Sequence, residues 1–234
     1  MNNNIFISVI LLAFASLTIK AADPVRYELD VKEFHELSVI EGINVDYIND
    51  PSQAGKAVFT TTPDLASVLM FSNEKGKLEM QIATDGIDYK GLPTVTVYST
   101  YLTKASNAGD STVRVLSVNP GPKFSAVLIG NGRLVVRGLE TTDADISLKT
   151  GNGTLVADGK TERLRIGFSG TGTIQADGLT AKDIKVRASG TGAIGCNPSA
   201  SLNIFGMGST TIYYKGHPEI KNRSLGLKLS PIDQ

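Results

Sequence analysis

The sequence predicts an all-β protein: a parallel β-helix, or flattened β-solenoid, of about five coils with a repeat near 20 residues, preceded by a β-rich segment carrying one short helix. Three observations point there. A Gly-x-Gly word returns at a nearly constant interval, apolar residues between the words alternate with period two, and a second glycine turn divides most intervals.

Residues 1–22 read as a secretory signal peptide. Asn2 to Asn4 are polar, Ile5 to Ile19 are apolar apart from Ser8, Ser16 and Thr18, and Ala21-Ala22 supply the small residues of a cleavage site. A membrane anchor is the alternative, and the apolar run falls short of the roughly 20 residues that span a bilayer. The mature chain would begin near Ala22 or Asp23, exported to the periplasm, the outer-membrane surface or the medium.

Residues 23–105 form a β-rich capping segment without the 20-residue period. Alternating stretches occur at Phe34 to Ile40, Ile43 to Ile48, Lys56 to Thr60, Lys77 to Ile82 and Thr94 to Tyr98. Turn signals at Asn49-Asp50-Pro51, Glu74-Lys75-Gly76 and Asp85-Gly86 separate them. One helix is expected, with Thr62 as N-cap, Pro63 at N1, Asp64 in the first turn and Leu65 to Phe71 as its apolar face. This segment should pack on the first coil and seal its edge.

Residues 106–234 carry the repeat and a C-terminal cap, and 23–234 together should make one continuous unit. The word stands at Gly130-Asn131-Gly132, Gly151-Asn152-Gly153, Gly170-Thr171-Gly172, Gly190-Thr191-Gly192 and Gly206-Met207-Gly208. Successive copies are 21, 19, 20 and 16 residues apart, and a weaker Ala108-Gly109-Asp110 precedes the first by 21. Four residues past each first glycine, from Gly109 to Gly190, come Val113, Leu134, Leu155, Ile174 and Ile194; two further on come Val115, Val136, Ala157, Ala176 and Cys196. Before the next word lie Phe124, Ala126 and Leu128, then Leu164, Ile166 and Phe168, then Ile184, Val186 and Ala188. Period two means strands with one buried face. In the coil from Gly130 the phase slips by one residue at Ile146 and Leu148, which a β-bulge would absorb.

Gly138, Gly159 and Gly178 close the first strand of each coil, the last two preceded by Asp158 and Asp177, as turn chemistry requires. Stacked at about 4.8 Å, five coils span roughly 24 Å and align Asn131 with Asn152 and Thr171 with Thr191. Open solenoid ends need caps, and Thr210 to Tyr214 with the tail after Gly216 would supply the C-terminal one.

Composition narrows the function. Lys+Arg and Asp+Glu each number 23, so no general nucleic-acid or anionic-membrane binder is expected. A single cysteine makes no intramolecular disulfide, and Cys196 falls in an inward column as a small buried hydrophobe. His35 and His217 lack companions at metal spacing, so no metal or cofactor is expected. The Asp-bearing turns do not follow the calcium-binding nonapeptide. Ser169 and Ser189 are corner residues outside any nucleophile elbow. No helix follows Gly170-Thr171-Gly172, so it is not a dinucleotide loop.

Two groups remain as site candidates. Asp158 and Asp177, at equivalent turn positions, would stack as a carboxylate pair if the chain were a small polysaccharide lyase or hydrolase, with Asp143, Asp145 and Asp183 as further acids. Repeated Asp-Gly turn chemistry accounts for both residues fully and is the preferred reading. Arg163, Arg165, Lys185 and Arg187 form an outward basic strip over two coils, which would meet an anionic glycan or keep an exposed sheet soluble. Tyr213 and Tyr214 would stack on sugars or cap the core.

The segments Phe34-His35-Glu36-Leu37-Ser38-Val39 and Gly42-Ile43-Asn44-Val45, the Gly76-Lys77-Leu78 turn, the Gly-x-Gly coils and the Lys215-Gly216-His217-Pro218 exit resemble, in that order, the autotransporter adhesin head GIN domain family. These are exported bacterial β-helical proteins common in gut Bacteroidetes. The resemblance covers about residues 30 to 230, implies fold and export, and brings no catalytic residues. The reading is a secreted or cell-envelope binding or structural module that is not an enzyme, with a glycan or an envelope or surface protein as partner. The alternatives are a carbohydrate-active enzyme and a periplasmic structural protein.

Overall fold

The computed structural model describes residues 23–83 and 89–232; the expected signal peptide and the Asp85-Gly86 turn lie outside them. The strands are β1 (Val25–Asp30), β2 (Glu36–Val39), β3 (Val45–Asn49), β4 (Lys56–Thr61), β5 (Leu69–Glu74), β6 (Lys77–Ile82), β7 (Val95–Ser99), β8 (Lys104–Asn107) and β9 (Thr112–Val115). There follow β10 (Gly121–Ile129), β11 (Arg133–Lys149), β12 (Thr154–Ser169), β13 (Thr173–Ala188), β14 (Ala193–Met207), β15 (Thr211–Tyr214), β16 (Glu219–Leu225) and β17 (Lys228–Pro231). From β8 onward successive coils pair in parallel, so the fold is the predicted parallel β-solenoid.

Each coil lays one strand on each of two faces. The long strands β11 to β14 bend through the second turn and serve both faces. Inward residues stack in the expected columns: Val113, Leu134, Leu155, Ile174 and Ile194 on one face, Leu164, Ile166, Ile184 and Val186 on the other, none more than 1% exposed. Fully burying such a side chain stabilises by about 1.5–3 kcal/mol, so the interior ladder dominates the fold. Cys196 is also buried, and loss of solvent pushes its thiol up to about 12, the charge of Asp177 adding to the effect.

At the Gly-x-Gly corners each coil hydrogen-bonds to the one before: Thr154 N to Gly132 O at 3.0 Å, Thr173 N to Gly153 O at 3.0 Å, Ala193 N to Gly172 O at 3.3 Å. A Cβ on Gly172, Gly190 or Gly192 would overlap the preceding coil's carbonyl oxygen, which is why Ser-Gly-Thr-Gly recurs. The surface ladder is present where Asn152 N donates to Asn131 Oδ1 at 3.0 Å.

Four expectations are corrected. The slip before Gly151 is absorbed in the corner, not in a strand bulge: Thr150 and Gly151 both adopt positive φ, 58° and 68°. The last word is misplaced by two residues, because Gly206 pairs with Ala188, and Ser209 N donates to Gly190 O. The corner is therefore at Gly208, and the interval becomes 18 residues instead of 16; the coil is still the shortest because Asp177-Gly178-Leu179 is skipped in the pairing between β13 and β14. Thr210 to Tyr214 is not the final strand, since β16 and β17 stack a further rung on β14 and β15. The helix is only Pro63–Ser67; Thr62 makes no side-chain cap bond, and Leu69 and Phe71 belong to β5, which pairs antiparallel with β6.

The head does more than seal an edge. Although it lacks the period, β2 lies in parallel between β6 and β8, and β3 between β7 and β9. The strands β2 and β3 are thus inserted into the stack, with the later β6 and β7 on their outer side. Antiparallel β1, β4 and β5 close that end, which protects exposed strand edges.

Candidate functional site

The outward residues that precede the Gly-x-Gly corners form rows that cross the coils. The parallel register puts Lys123, Asp143, Arg163, Asp183 and Ser201 in one row, Ser125, Asp145, Arg165, Lys185 and Asn203 in the next, and Val127, Ser147, Gly167, Arg187 and Phe205 in a third. Strand spacing brings neighbours in a row to about 4.8 Å, so opposite charges in a row pair across coils.

The first row is neutralised by such pairing. Arg163 grips Asp143 with two hydrogen bonds of 2.8 and 2.7 Å, and this holds the Asp143 carboxyl below its ordinary value. Asp183 accepts a hydrogen bond from Ser201 Oγ at 2.5 Å. In the second row Arg165 lies 3.0 Å from Asp145 and 3.7 Å from Asp143, and Lys123 lies 3.2 Å from Asp145.

Lys185 and Arg187 are placed differently. Lys185 Nζ sits 5.2 Å from the centre of the Phe205 ring, and the Arg223 guanidinium carbon lies 5.9 Å from that ring on the next rung. Beside them is a depression of about 430 Å³ lined by Asp145, Ser147, Arg165, Gly167, Lys185 and Arg187. Its floor is open because Gly167 has no side chain: a Cβ there would meet only Ser147 Cβ, at 3.4 Å. A second depression, about 360 Å³, shares Arg165 and Lys185 and extends to Asn203.

The structure therefore gathers the basic strip on one face but divides it, with Arg163 occupied by Asp143 and Lys185 and Arg187 left beside Phe205. Phe205 was overlooked although its phase was legible, since Leu202 and Ile204 count as inward from Gly206 and from Gly208 alike; Arg223 was missed because β16 lies beyond the strand expected to be the last.

The two turn carboxylates are not a pair. A register shift sets Asp158 opposite Gly178, with Asp177 bulged beyond it. Asp158 is ion-paired to Arg137 and accepts from Gly138 N at 2.7 Å, toward the preceding coil. Asp177 meets Lys215 at 3.3 Å, toward the following coils. Their expected stacking is corrected by that one-residue shift at the bend. Tyr214 packs partly buried against the core while Tyr213 is 40% exposed. Among the described residues, no three His, Cys, Asp or Glu side chains gather in a metal-binding arrangement.

A model of the family described as "Putative auto-transporter adhesin, head GIN domain" matches residues 33–218. Solved structures share the fold. A "putative adhesin" from Bacteroides fragilis NCTC 9343 superimposes with a TM-score of 0.79 at 19% identity, covering 89% of this chain and 96% of that one. A "putative adhesin" from Parabacteroides merdae ATCC 43184 gives 0.71 at 16% identity over 90% and 97%. A "Putative lipid binding protein" from Parabacteroides distasonis ATCC 8503 gives 0.66 at 18% identity over 90% and 97%. No curated protein matches the chain.

Proposed function

The chain belongs to the auto-transporter adhesin head GIN domain family, and on that premise we propose that it is an exported surface module that binds through its ladder face without transforming what it binds. It acts in the cell envelope or outside the cell, where an adhesin-like solenoid presents its long faces to glycans or to other surface molecules. Among the described residues no helix is long and apolar enough to cross a membrane.

One observation carries the binding reading: on the face Asp143 is held by Arg163, Asp145 by Arg165 and Asp183 by the Ser201 hydroxyl, and at the bend Asp158 is held by Arg137 and Asp177 by Lys215. A carboxylate held as a salt-bridged anion is a poor general acid and a spent base, since acid–base work needs a proton affinity tuned near the working pH. The same rung-to-rung pairing makes a rigid, preorganised surface, which lowers the entropy lost on binding.

The test is a glycan-array and surface-protein binding screen on the purified protein, with released-sugar analysis on every hit. Retained binding with intact ligand is expected. Release of oligosaccharide products would overturn the reading in favour of a carbohydrate-active enzyme.

A further inference from the structure

We infer that the depression over Gly167, with Arg165, Lys185, Arg187 and Phe205 around it, is a binding site for a glycan strand bearing carboxylate or sulfate groups. The inference rests on the adhesive reading above and names the ligand of that face.

Charge segregation is the first argument. The whole chain is neutral, yet from β12 onward the second and third rows, which β16 extends by Lys221 and Arg223, carry Arg165, Lys185, Arg187, Lys221 and Arg223 and no carboxylate. Among the described residues, Lys185, Arg187 and Arg223 have no carboxylate oxygen within 4.0 Å, whereas Arg163, Arg165 and Lys221 do. Unpaired cations held close together repel one another, and an anion placed among them relieves that repulsion.

Shape is the second argument. Gly167 interrupts the outer row with an open floor directly beside Arg187 in the register. Asp145, Arg165 and Lys185 stand side by side in the row along its edge, with Arg165 neutralising Asp145 at 3.0 Å and Lys185 left for the ligand. An anionic group lowered onto Gly167 meets the Arg187 fork, which matches the geometry of a carboxylate or sulfate, and the Lys185 ammonium.

Periodicity decides for a polymer. Arg187 and Arg223 lie two rungs apart in one row, about 10 Å at the strand spacing. That distance suits a charge on every second sugar of a linear chain. Phe205 lies between them, and its ring, with Lys185 and Arg223 set over it, fixes both cations on this face. A lipid surface would use the rim instead, where Met207 and Leu225 are 65% and 77% exposed.

The experiment measures binding of the purified protein to polygalacturonate, dextran sulfate, neutral dextran, and phosphatidylcholine vesicles with and without phosphatidylglycerol. Binding to one or both polyanions, weakened by added salt and absent for neutral dextran, is expected. Lys185→Gln with Arg187→Gln should lower that affinity at least tenfold, in line with the loss of charged hydrogen bonds. Gly167→Val should lower it similarly by filling the floor, with unchanged charge and folding. Arg26→Gln with Lys56→Gln, on the head, should leave it unchanged.

Equal loss from the head variant, or none from the Lys185 and Arg187 variant, overturns the site. Preference for phosphatidylglycerol vesicles over both polyanions overturns the glycan assignment. Binding of only neutral glycans or proteins overturns this inference while the adhesive reading stands; absence of binding to any partner overturns both.

Discussion

Alanine in place of Gly190 separates two explanations for glycine at a corner. Gly190 does not need a left-handed backbone, so a rule based on turn conformation predicts little cost. The stack predicts otherwise, because the new Cβ would overlap Gly170 O and approach Phe168 to 3.0 Å. Relief means moving this coil away from the preceding one, and three corner bonds stand in the way: Ser189 N to Phe168 O at 2.8 Å, Thr191 N to Gly170 O at 3.0 Å, and Ala193 N to Gly172 O at 3.3 Å. At about 1 kcal/mol for each bond, plus disturbed packing of Phe168, Gly190→Ala should cost roughly 3–4 kcal/mol. Gly138 is the internal control. It has φ of 61° and nothing within 4 Å of where a Cβ would stand, so Gly138→Ala should cost only the left-handed backbone, about 1 kcal/mol. Urea denaturation followed by circular dichroism reads both. If Gly190→Ala stays within about 1 kcal/mol of the parent, or Gly138→Ala is the more damaging, steric stacking does not explain the repeated word.

Ile184, 1% exposed, stacks between Leu164 and Leu202, so Ile184→Asp leaves a carboxylate in the core at a cost of several kcal/mol, against a typical total stability of about 5–15 kcal/mol. Loss of cooperative thermal unfolding is expected, and a melting curve like the parent's would refute the column assignment. Cys196 has its folded value raised from 9.0 to about 12, so its contribution is complete below pH 9 and is lost as pH rises from 9 through 12, on the order of 4 kcal/mol in all. Cys196→Ala should therefore lose less stability than the parent between about pH 9 and 11; parallel alkaline profiles would show that the thiol is not held protonated by the fold. Replacing Asp158 and Asp177 together by Asn should leave ligand binding on the array unchanged, and a marked loss would point to chemistry at the bend instead.

The sequence by itself determined the fold class, because a solenoid is one local rule repeated. Glycine spacing marks the corners and period-two alternation marks which side chains face inward, so Val113 through Ile194 and Phe124 through Ala188 could be placed without knowing any distant contact. The basic strip was legible for the same reason. Rules of this kind fail where one coil departs from its neighbours. Thr150 took up a phase slip in a corner, the three residues from Asp177 were passed over in the pairing, and each change altered the length of its own coil. Only tertiary structure decided that β2 and β3 slot between β6 and β8, β7 and β9, since nothing local distinguishes an inserted rung from a cap. It alone decided which charges are spent. Arg163 and Arg187 look alike in the chain, but one has an aspartate beside it on the preceding rung and the other has a glycine, and that neighbour lies 20 residues away in each case.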